Sequence, residues 1–359
     1  MQALAGVAGA LLVLLMLAEF FVTFLLPRRV RRDPRLARGF VRFLWRPWRA
    51  TARLLPDALA DTVLGFFGPV ALLTELVVWA LGLVVGFTLL HWAFGSRVGG
   101  HARSFVEDLY FSGGEFLSSG TGPALGTPAR VLALVEAATG IGVVFVVIGY
   151  LPAVFGAFSR REVAISQLDP RAGSPATAGA LLRRVARTGR WDELEVWLRD
   201  AEDWAAELME TQLSYPLLAW YRSQHVNQDW LKALTVIVDT SAVVIAARAE
   251  GAEGQAELTY AVGRHALSDI ALQLRVTPER VPGRLADADF DDLRRSLEAH
   301  DGTTRAAESM RRRLDDLREG YEGNAAAIAQ LLALRVPPWT ATADSSARFT
   351  SGHSSSTTL

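Results

Sequence analysis

FVEDLYFSGGEFLS, residues Phe105–Ser118, is followed by Ser119-Gly120-Thr121-Gly122-Pro123 and, after Pro128, by an almost unbroken apolar run from Val131 to Phe158. The first piece is short and amphipathic, and its spacing predicts a helix over 105–117. The second is a loop of small residues in which Gly120 and Gly122 reach left-handed backbone without the Cβ penalty of other residues. The third is long enough to cross the ~30 Å hydrocarbon layer of a bilayer. A short helix, a glycine-punctuated loop and a membrane-length helix, in that order, make a re-entrant arrangement.

On these residues the stretch resembles the pore region of the potassium-channel superfamily, whose filter typically reads Thr-Val-Gly-Tyr-Gly. Ser119-Gly120-Thr121-Gly122 stand at the corresponding positions, preceded by Leu117-Ser118. The glycines match, while Thr121 replaces the aromatic and Pro123 stands where the family usually has Asp. The resemblance implies that Ser118, Ser119, Gly120, Thr121 and Gly122 form an ion selectivity filter, whose backbone carbonyls replace the water around a dehydrated cation. It also implies a pore helix whose partly negative C-terminus favours cations. Glu115, near the end of that helix, is expected to support the filter backbone rather than to bind the ion. One loop cannot enclose an ion, so a homotetramer follows, with K+ or another monovalent cation permeating, no other metal and no cofactor. Thr121 is smaller than the family's aromatic, so a looser filter with weak potassium-over-sodium discrimination is expected. Tyr150–Asp169 and Ser214–Ala247 resemble, more loosely, bacterial potassium-channel-like proteins with a helical C-terminal domain.

The 359 residues are 50% hydrophobic and 21% charged, with mean hydropathy +0.21. That average hides two halves, apolar up to about Ser159 and charged and helix-prone beyond it. A net charge of −1 gives no reason to expect nucleic acid as a partner. The absence of cysteine excludes a disulfide scaffold and any Cys-ligated metal.

Residues 1–27 make the first expected transmembrane helix. Ala3–Leu26 is apolar except for Glu19, is too long for a signal peptide, and has its basic residues after it rather than before. Residues 28–60 are a basic interfacial segment. Pro27–Arg53 packs ten arginines against one acid, Asp33, with Phe40, Phe43, Trp45 and Trp48 between them. Directly behind a span, this composition sets arginine at cytoplasmic headgroups and tryptophan in the aromatic belt. Residues 61–160 form the expected pore domain, with outer helix 69–94, pore helix 105–117, filter 118–123 and inner helix 131–158. Only three arginines lie between Gly95 and Arg130, whereas Arg160-Arg161 follows the inner helix. The charge bias therefore puts the N-terminus and the 95–130 loop outside and the C-terminal part inside a plasma membrane.

Within the third span, Gly140, Gly142 and Gly149 either let helices approach closely or let the helix bend as a gate. Pro152 removes a backbone hydrogen bond and is expected to bend the helix. Glu19, Glu75 and Glu136 are ionisable groups within spans, each a functional candidate or a buried structural partner; Glu136, behind the filter, is the strongest.

Residues 161–175 read as a linker, 176–335 as a cytoplasmic helical domain and 336–359 as a disordered tail. Trp191, Leu194, Trp197, Leu198, Trp204 and Leu208 recur at helical spacing, as a packed core does rather than a ligand cage. Leu231–Ala247 is strongly apolar but short for a span and contains Asp239, so a buried core helix is expected. No βαβ pattern occurs, so the nucleotide-binding regulatory domain of many channels is not expected, and the ligand or partner of this domain is left open. The expected fold class is an all-α membrane protein. It has three transmembrane helices, a re-entrant pore helix and filter loop between the second and third, and a cytoplasmic α-helical domain.

Gly120-x-Gly122-x-x-x-Gly126 imitates a dinucleotide fingerprint but has one residue too many and follows no strand. There is no Walker loop, no His-Glu-x-x-His and no Gly-x-Ser-x-Gly elbow. His91, His101, His225, His265, His300 and His353 are scattered, none paired at helical ligand spacing, and an enzyme is not expected. The leading expectation is a tetrameric cation channel, potassium-conducting by resemblance. Its rivals are a non-conducting membrane sensor with a pore-like fold and a membrane-anchored helical interaction module.

Overall fold

The computed structural model describes residues 2–25, 36–94, 97–98, 101–102, 104–120, 126–224, 228–248, 251–278, 283–301 and 306–340. Four of its helices are long and apolar enough to cross a membrane: Gln2–Phe24, Leu59–Phe94, Thr127–Ala172 and Trp230–Ala247. The chain divides into two units, Met1–Gly156 and Ala157–Leu359.

The first unit holds α1 (Gln2–Phe20, continued by a π-turn over Phe21–Leu25), α2 (Leu36–Ala52), α3 (Asp57–Phe94), α4 (Phe105–Phe116) and the first part of α5 (Thr127–Ala172). Between α3 and α4, β1 (Arg97–Val98) pairs antiparallel with β2 (His101–Ala102). Glycine brings α1 and α3 together. A Cβ on Gly9 would stand 2.7 Å from the Gly86 carbonyl, and one on Gly82 would stand 2.6 Å from the Met16 sulfur. Small residues four apart on α3, Gly82 and Gly86, thus make the close approach that membrane helices favour. Around the seam Val13, Met16, Phe20, Trp79, Leu83, Phe87 and Phe116 form a buried core. Phe24 extends it, with its ring 5.0 Å from Trp79 and 4.3 Å from Tyr150. Leu4, Leu11, Leu81, Leu134, Phe145 and Ile148 are exposed on the outside, a surface suited to hydrocarbon rather than water.

Helix α2 is different in kind, because arginine and apolar residues alternate along it at helical spacing. Its apolar side is fixed to α3. Val41, Trp45 and Ala52 are buried, Trp45 stacks edge-on to Phe67 at 4.7 Å, and the Trp48 indole N–H donates to the Val63 carbonyl at 2.8 Å. Residues 26–35, which include residues 28–35 of the expected basic segment, lie outside the described residues.

Two helices are longer than the hydropathy alone suggests. The outer helix was expected from Pro69, but α3 begins at Asp57 and Pro69 lies inside it. The inner helix was expected over 131–158, but α5 runs unbroken from Thr127 to Ala172, so residues 161–172 of the expected linker are helical. Polar residues beyond Ser159 have helical propensity and simply continue the apolar helix.

In the second unit α6 (Ala178–Thr188), α7 (Trp191–Ser214), α9 (Glu253–Gln273), α10 (Asp287–Asp301), α11 (Ala307–Glu319) and α12 (Glu322–Leu332) accompany α8 (Trp230–Ala247). Every residue of α8 except Lys232 is buried, so this fourth apolar helix is a core helix, as its length and Asp239 suggested. Asp239 is satisfied by a buried cluster. Arg284 donates to both its carboxylate oxygens, at 2.7 and 3.1 Å, and the Tyr321 hydroxyl donates to one of them. Burial works against the Arg284 cation, but the carboxylate facing it outweighs burial and holds the guanidinium above its ordinary pKa.

The end of α5 is tied to this unit by Arg161, which donates to the carbonyls of Leu218 (2.9 Å) and Tyr221 (3.0 Å). The tail expected to be disordered from residue 336 is held at its start. Trp339 is buried, its carbonyl accepts from Gly179 N–H at 2.9 Å, and the Pro337 carbonyl accepts from Arg284 at 2.6 Å. A tryptophan at that point has enough apolar surface to anchor a segment otherwise too polar to fold. Residues 341–359 lie outside the described residues.

Candidate functional site

Helix α4 is short, and its ends are specified locally. At its N-terminus Ser104 and Glu107 form a capping box: the Ser104 hydroxyl accepts from Glu107 N–H at 3.3 Å, and the Glu107 carboxylate accepts from Ser104 N–H at 2.7 Å. At its C-terminus the chain folds back on its own carbonyls. Ser118 N–H donates to Glu115 O at 2.9 Å, and Ser119 donates to Gly114 O through its N–H at 2.8 Å and its hydroxyl at 3.1 Å. Ser118 has φ +54° and Gly120 φ +66°, both in the left-handed region. Gly120 pays nothing for this, whereas Ser118 carries a Cβ there.

Between α3, α4 and α5 lies a buried polar cluster. Ser112 on α4 has a hydroxyl that reaches the Val84 carbonyl of α3 at 2.9 Å and also the Glu136 carboxylate of α5. His91 of α3 places Nε2 3.1 Å from the other Glu136 oxygen. His91, Ser112 and Glu136 have no exposed surface, and the Phe111 ring stands edge-on to the imidazole at 5.1 Å. The His91 Nδ1 atom has no partner among the described residues. Its bare lone pair costs less than an unpaired N–H, so the tautomer with the proton on Nε2, donating to Glu136, fits best.

Glu136, expected as an intramembrane acid, is therefore the centre of a three-helix hydrogen-bond network. Glu115 is half-buried, and its main-chain carbonyl accepts from Ser118 N–H; among the described residues its carboxylate makes no hydrogen bond to the loop. Gly140 is a contact residue, since a Cβ there would stand 2.0 Å from the Phe116 carbonyl that ends α4. Gly142 and Gly149 face open space, with nothing within 4 Å of an added Cβ. Pro152 lies exposed within unbroken α5 and leaves the Ile148 carbonyl without its helical partner. Thr121, Gly122 and Pro123 lie outside the described residues. Elsewhere in the unit, Glu75 is buried and has Glu19 of α1 within electrostatic reach.

Two members of the cluster, His91 and Ser112, were not singled out by the sequence. His91 looks solitary because its partner is 45 residues away. The available signal was that a histidine, a serine and a glutamate, each within an apolar helix, need one another once those helices pack. Among the described residues, no group of three or more His, Asp or Glu side chains is arranged to hold a metal ion. Comparison with known proteins finds no matching family model, no matching curated protein and no matching solved structure.

Proposed function

We propose that the chain is one subunit of a homotetrameric cation channel, with α1, α3 and α5 as its membrane spans. In this reading α4 is the pore helix, Ser118-Ser119-Gly120-Thr121-Gly122 is the filter, and K+ is the permeant ion implied by the resemblance. The observation that carries the proposal is the seating of α4. A twelve-residue helix is hydrogen-bonded through Ser112 to two membrane-length helices at once, and a loop with left-handed backbone leaves its C-terminus. Non-helical backbone at membrane depth is tolerated where it lines a water-filled cavity or is buried in protein, and a pore provides that setting. The exposed apolar sides of α1, α3 and α5 are then covered by lipid and by neighbouring subunits. The arginines of α2 sit at cytoplasmic headgroups, and the C-terminal unit is cytoplasmic.

Purified protein reconstituted in liposomes tests this. Under opposed potassium and sodium gradients a cation flux is expected, with weak discrimination because Thr121 replaces the filter aromatic. Absence of flux from protein that remains tetrameric by light scattering favours a non-conducting sensor; a stable monomer in native-like lipid favours an anchored module.

A further inference from the structure

We propose that Val336-Pro337-Pro338-Trp339-Thr340 is the bound ligand of a preformed peptide slot in the C-terminal unit, docked reversibly in cis rather than built into the core. The segment follows α12 without regular secondary structure, yet Trp339 is 1% exposed. Two guanidinium groups face its indole, with Cζ of Arg284 5.3 Å and Cζ of Arg318 5.6 Å from the ring centroid.

The walls of the slot stand without the segment. Arg284 is held by Asp239 at 2.7 and 3.1 Å and by Glu322 at 3.1 Å. Arg318 is held by Glu322 at 3.1 and 3.2 Å and by Asp315 at 2.7 Å. Charge-assisted bonds of this kind fix both guanidinium planes before any indole arrives. The segment's own hold is lighter. The Trp339 carbonyl accepts from Gly179 N–H at 2.9 Å, the Pro337 carbonyl accepts from Arg284 at 2.6 Å, and the Thr340 hydroxyl donates to Asp289. Against these bonds, the Trp339 indole N–H is buried with no acceptor among the described residues. It regains water on release, which lowers the cost of undocking. Pro337-Pro338 restricts the backbone in front of the indole, so less conformational entropy is lost on docking. The floor of the slot is Gly179, where a Cβ would stand 2.8 Å from the Trp339 carbonyl oxygen and 3.1 Å from the Thr340 methyl. The slot thus recognises a Pro-Pro-Trp-Thr segment by its indole, its carbonyls and its close backbone approach.

The experiment uses the full-length detergent-solubilised protein and a fluorescent peptide copying Arg335–Thr342, with anisotropy as the readout. In the wild type the chain's own segment competes at an effective concentration on the order of millimolar. Trp339→Ala removes that competitor, so the peptide should bind this variant saturably and at least about tenfold more tightly than it binds wild type. A peptide with alanine in place of its tryptophan should bind neither. Adding Gly179→Ala to the Trp339→Ala chain places a methyl in the slot and should abolish binding. No saturable binding to a folded Trp339→Ala chain, equal binding to it and to wild type, or binding that survives Gly179→Ala would each overturn the proposal. If Trp339→Ala fails to fold, Gly179→Ala alone decides, because its methyl should expel the chain's own segment. Chymotrypsin should then cut after Trp339 about tenfold faster than in wild type, with thermal unfolding of the unit near wild type. Cleavage at the wild-type rate, or loss of the whole unit's fold in that variant, would show the segment to be part of the core. The outcome is independent of the pore reading, which rests on other residues.

Discussion

The Nε2 atom of His91 lies 3.1 Å from Oε2 of Glu136, with neither side chain exposed. The pair joins α3 to α5, and Ser112 joins α4 to both. Ser112 has one hydroxyl proton and two acceptors within reach, the Val84 carbonyl and Glu136. Glutamine at position 136 resolves this conflict. Its carbonyl accepts from His91, its amide donates to Ser112, and the Ser112 proton is left for Val84. Glu136→Gln is therefore expected to cost less than about 1 kcal/mol, whereas Glu136→Ala strands His91 and Ser112 and costs about 3–5 kcal/mol. Thermal unfolding of the two variants in one detergent measures the difference, and equal loss in both would show that the carboxylate charge, not the hydrogen-bond chain, matters.

Gly140 and Gly142 sit on the same helix and should respond in opposite ways to alanine. A Cβ at 140 meets the Phe116 carbonyl at 2.0 Å, a backbone atom that can move only with the end of α4. Gly140→Ala is expected to cost about 1–3 kcal/mol as overpacking. Gly142 has open space around it, and alanine there gains up to about 1 kcal/mol of helix propensity. Yields and melting temperatures of the solubilised proteins compare them. If the chain is the channel proposed above, a Gly142→Ala protein that folds well but has altered gating kinetics would assign a gating role to Gly142 rather than to Gly140.

The short helix, the long apolar helices and the buried α8 were legible because apolar length and turn residues are local properties. The start of α4 was legible for the same reason, and it lies at Phe105 as expected. Helix ends were not legible where a long apolar helix runs on into polar residues, as at Asp57 and Ala172, because hydropathy marks what is apolar rather than what is helical. Glu136 was identified from its setting alone. Its partners His91 and Ser112 belong to separate helices, and only packing brings them together. Trp339, placed in an expected tail, is buried by contacts with residues far earlier in the chain.

Tyr221 gives the C-terminal unit an alkaline limit. Its hydroxyl is buried with no partner among the described residues, and burial pushes its pKa up to about 12. In the unfolded chain a tyrosine titrates near about 10. Between these values the folded state keeps the proton and the unfolded state loses it, so stability is whole below pH ~10 and falls as pH rises towards ~12. The loss is on the order of 2 kcal/mol. Tyr221→Phe should remove this component and be neutral or slightly stabilising at pH 7, since no hydrogen bond is lost. Denaturant titrations of both proteins at pH 7 and pH 11 provide the comparison; an equal alkaline loss in the two would place the titrating group elsewhere.

Arg284 and Asp239 illustrate a different dependence on partners. Removing the arginine leaves a fully buried carboxylate with only Tyr321, among the described residues, to satisfy it. Arg284→Ala should therefore destabilise the unit by about 3–5 kcal/mol, while the double change Arg284→Met with Asp239→Leu should cost clearly less. Tryptophan fluorescence during chemical denaturation reads both. A double variant as unstable as the single one would mean that the pair positions Trp339 and Pro337 rather than merely neutralising itself.

The loop after α4 offers the sharpest test of the pore reading. Gly120 has φ +66° and open space around the position of a Cβ, so any penalty for substitution comes from backbone conformation rather than collision. Alanine at 120 should cost about 1–2 kcal/mol in each subunit. Asparagine tolerates left-handed backbone better and should cost less. In the proposed channel four subunits share one pore, so on that reading the alanine variant is expected to insert and assemble yet lose its cation flux, while Gly120→Asn keeps a measurable part of it. If asparagine is as damaging as alanine, side-chain bulk in the conduction path is the cause and not backbone strain. If Gly120→Ala and Gly122→Ala both leave the flux unchanged, the ions pass elsewhere and this loop is not the filter.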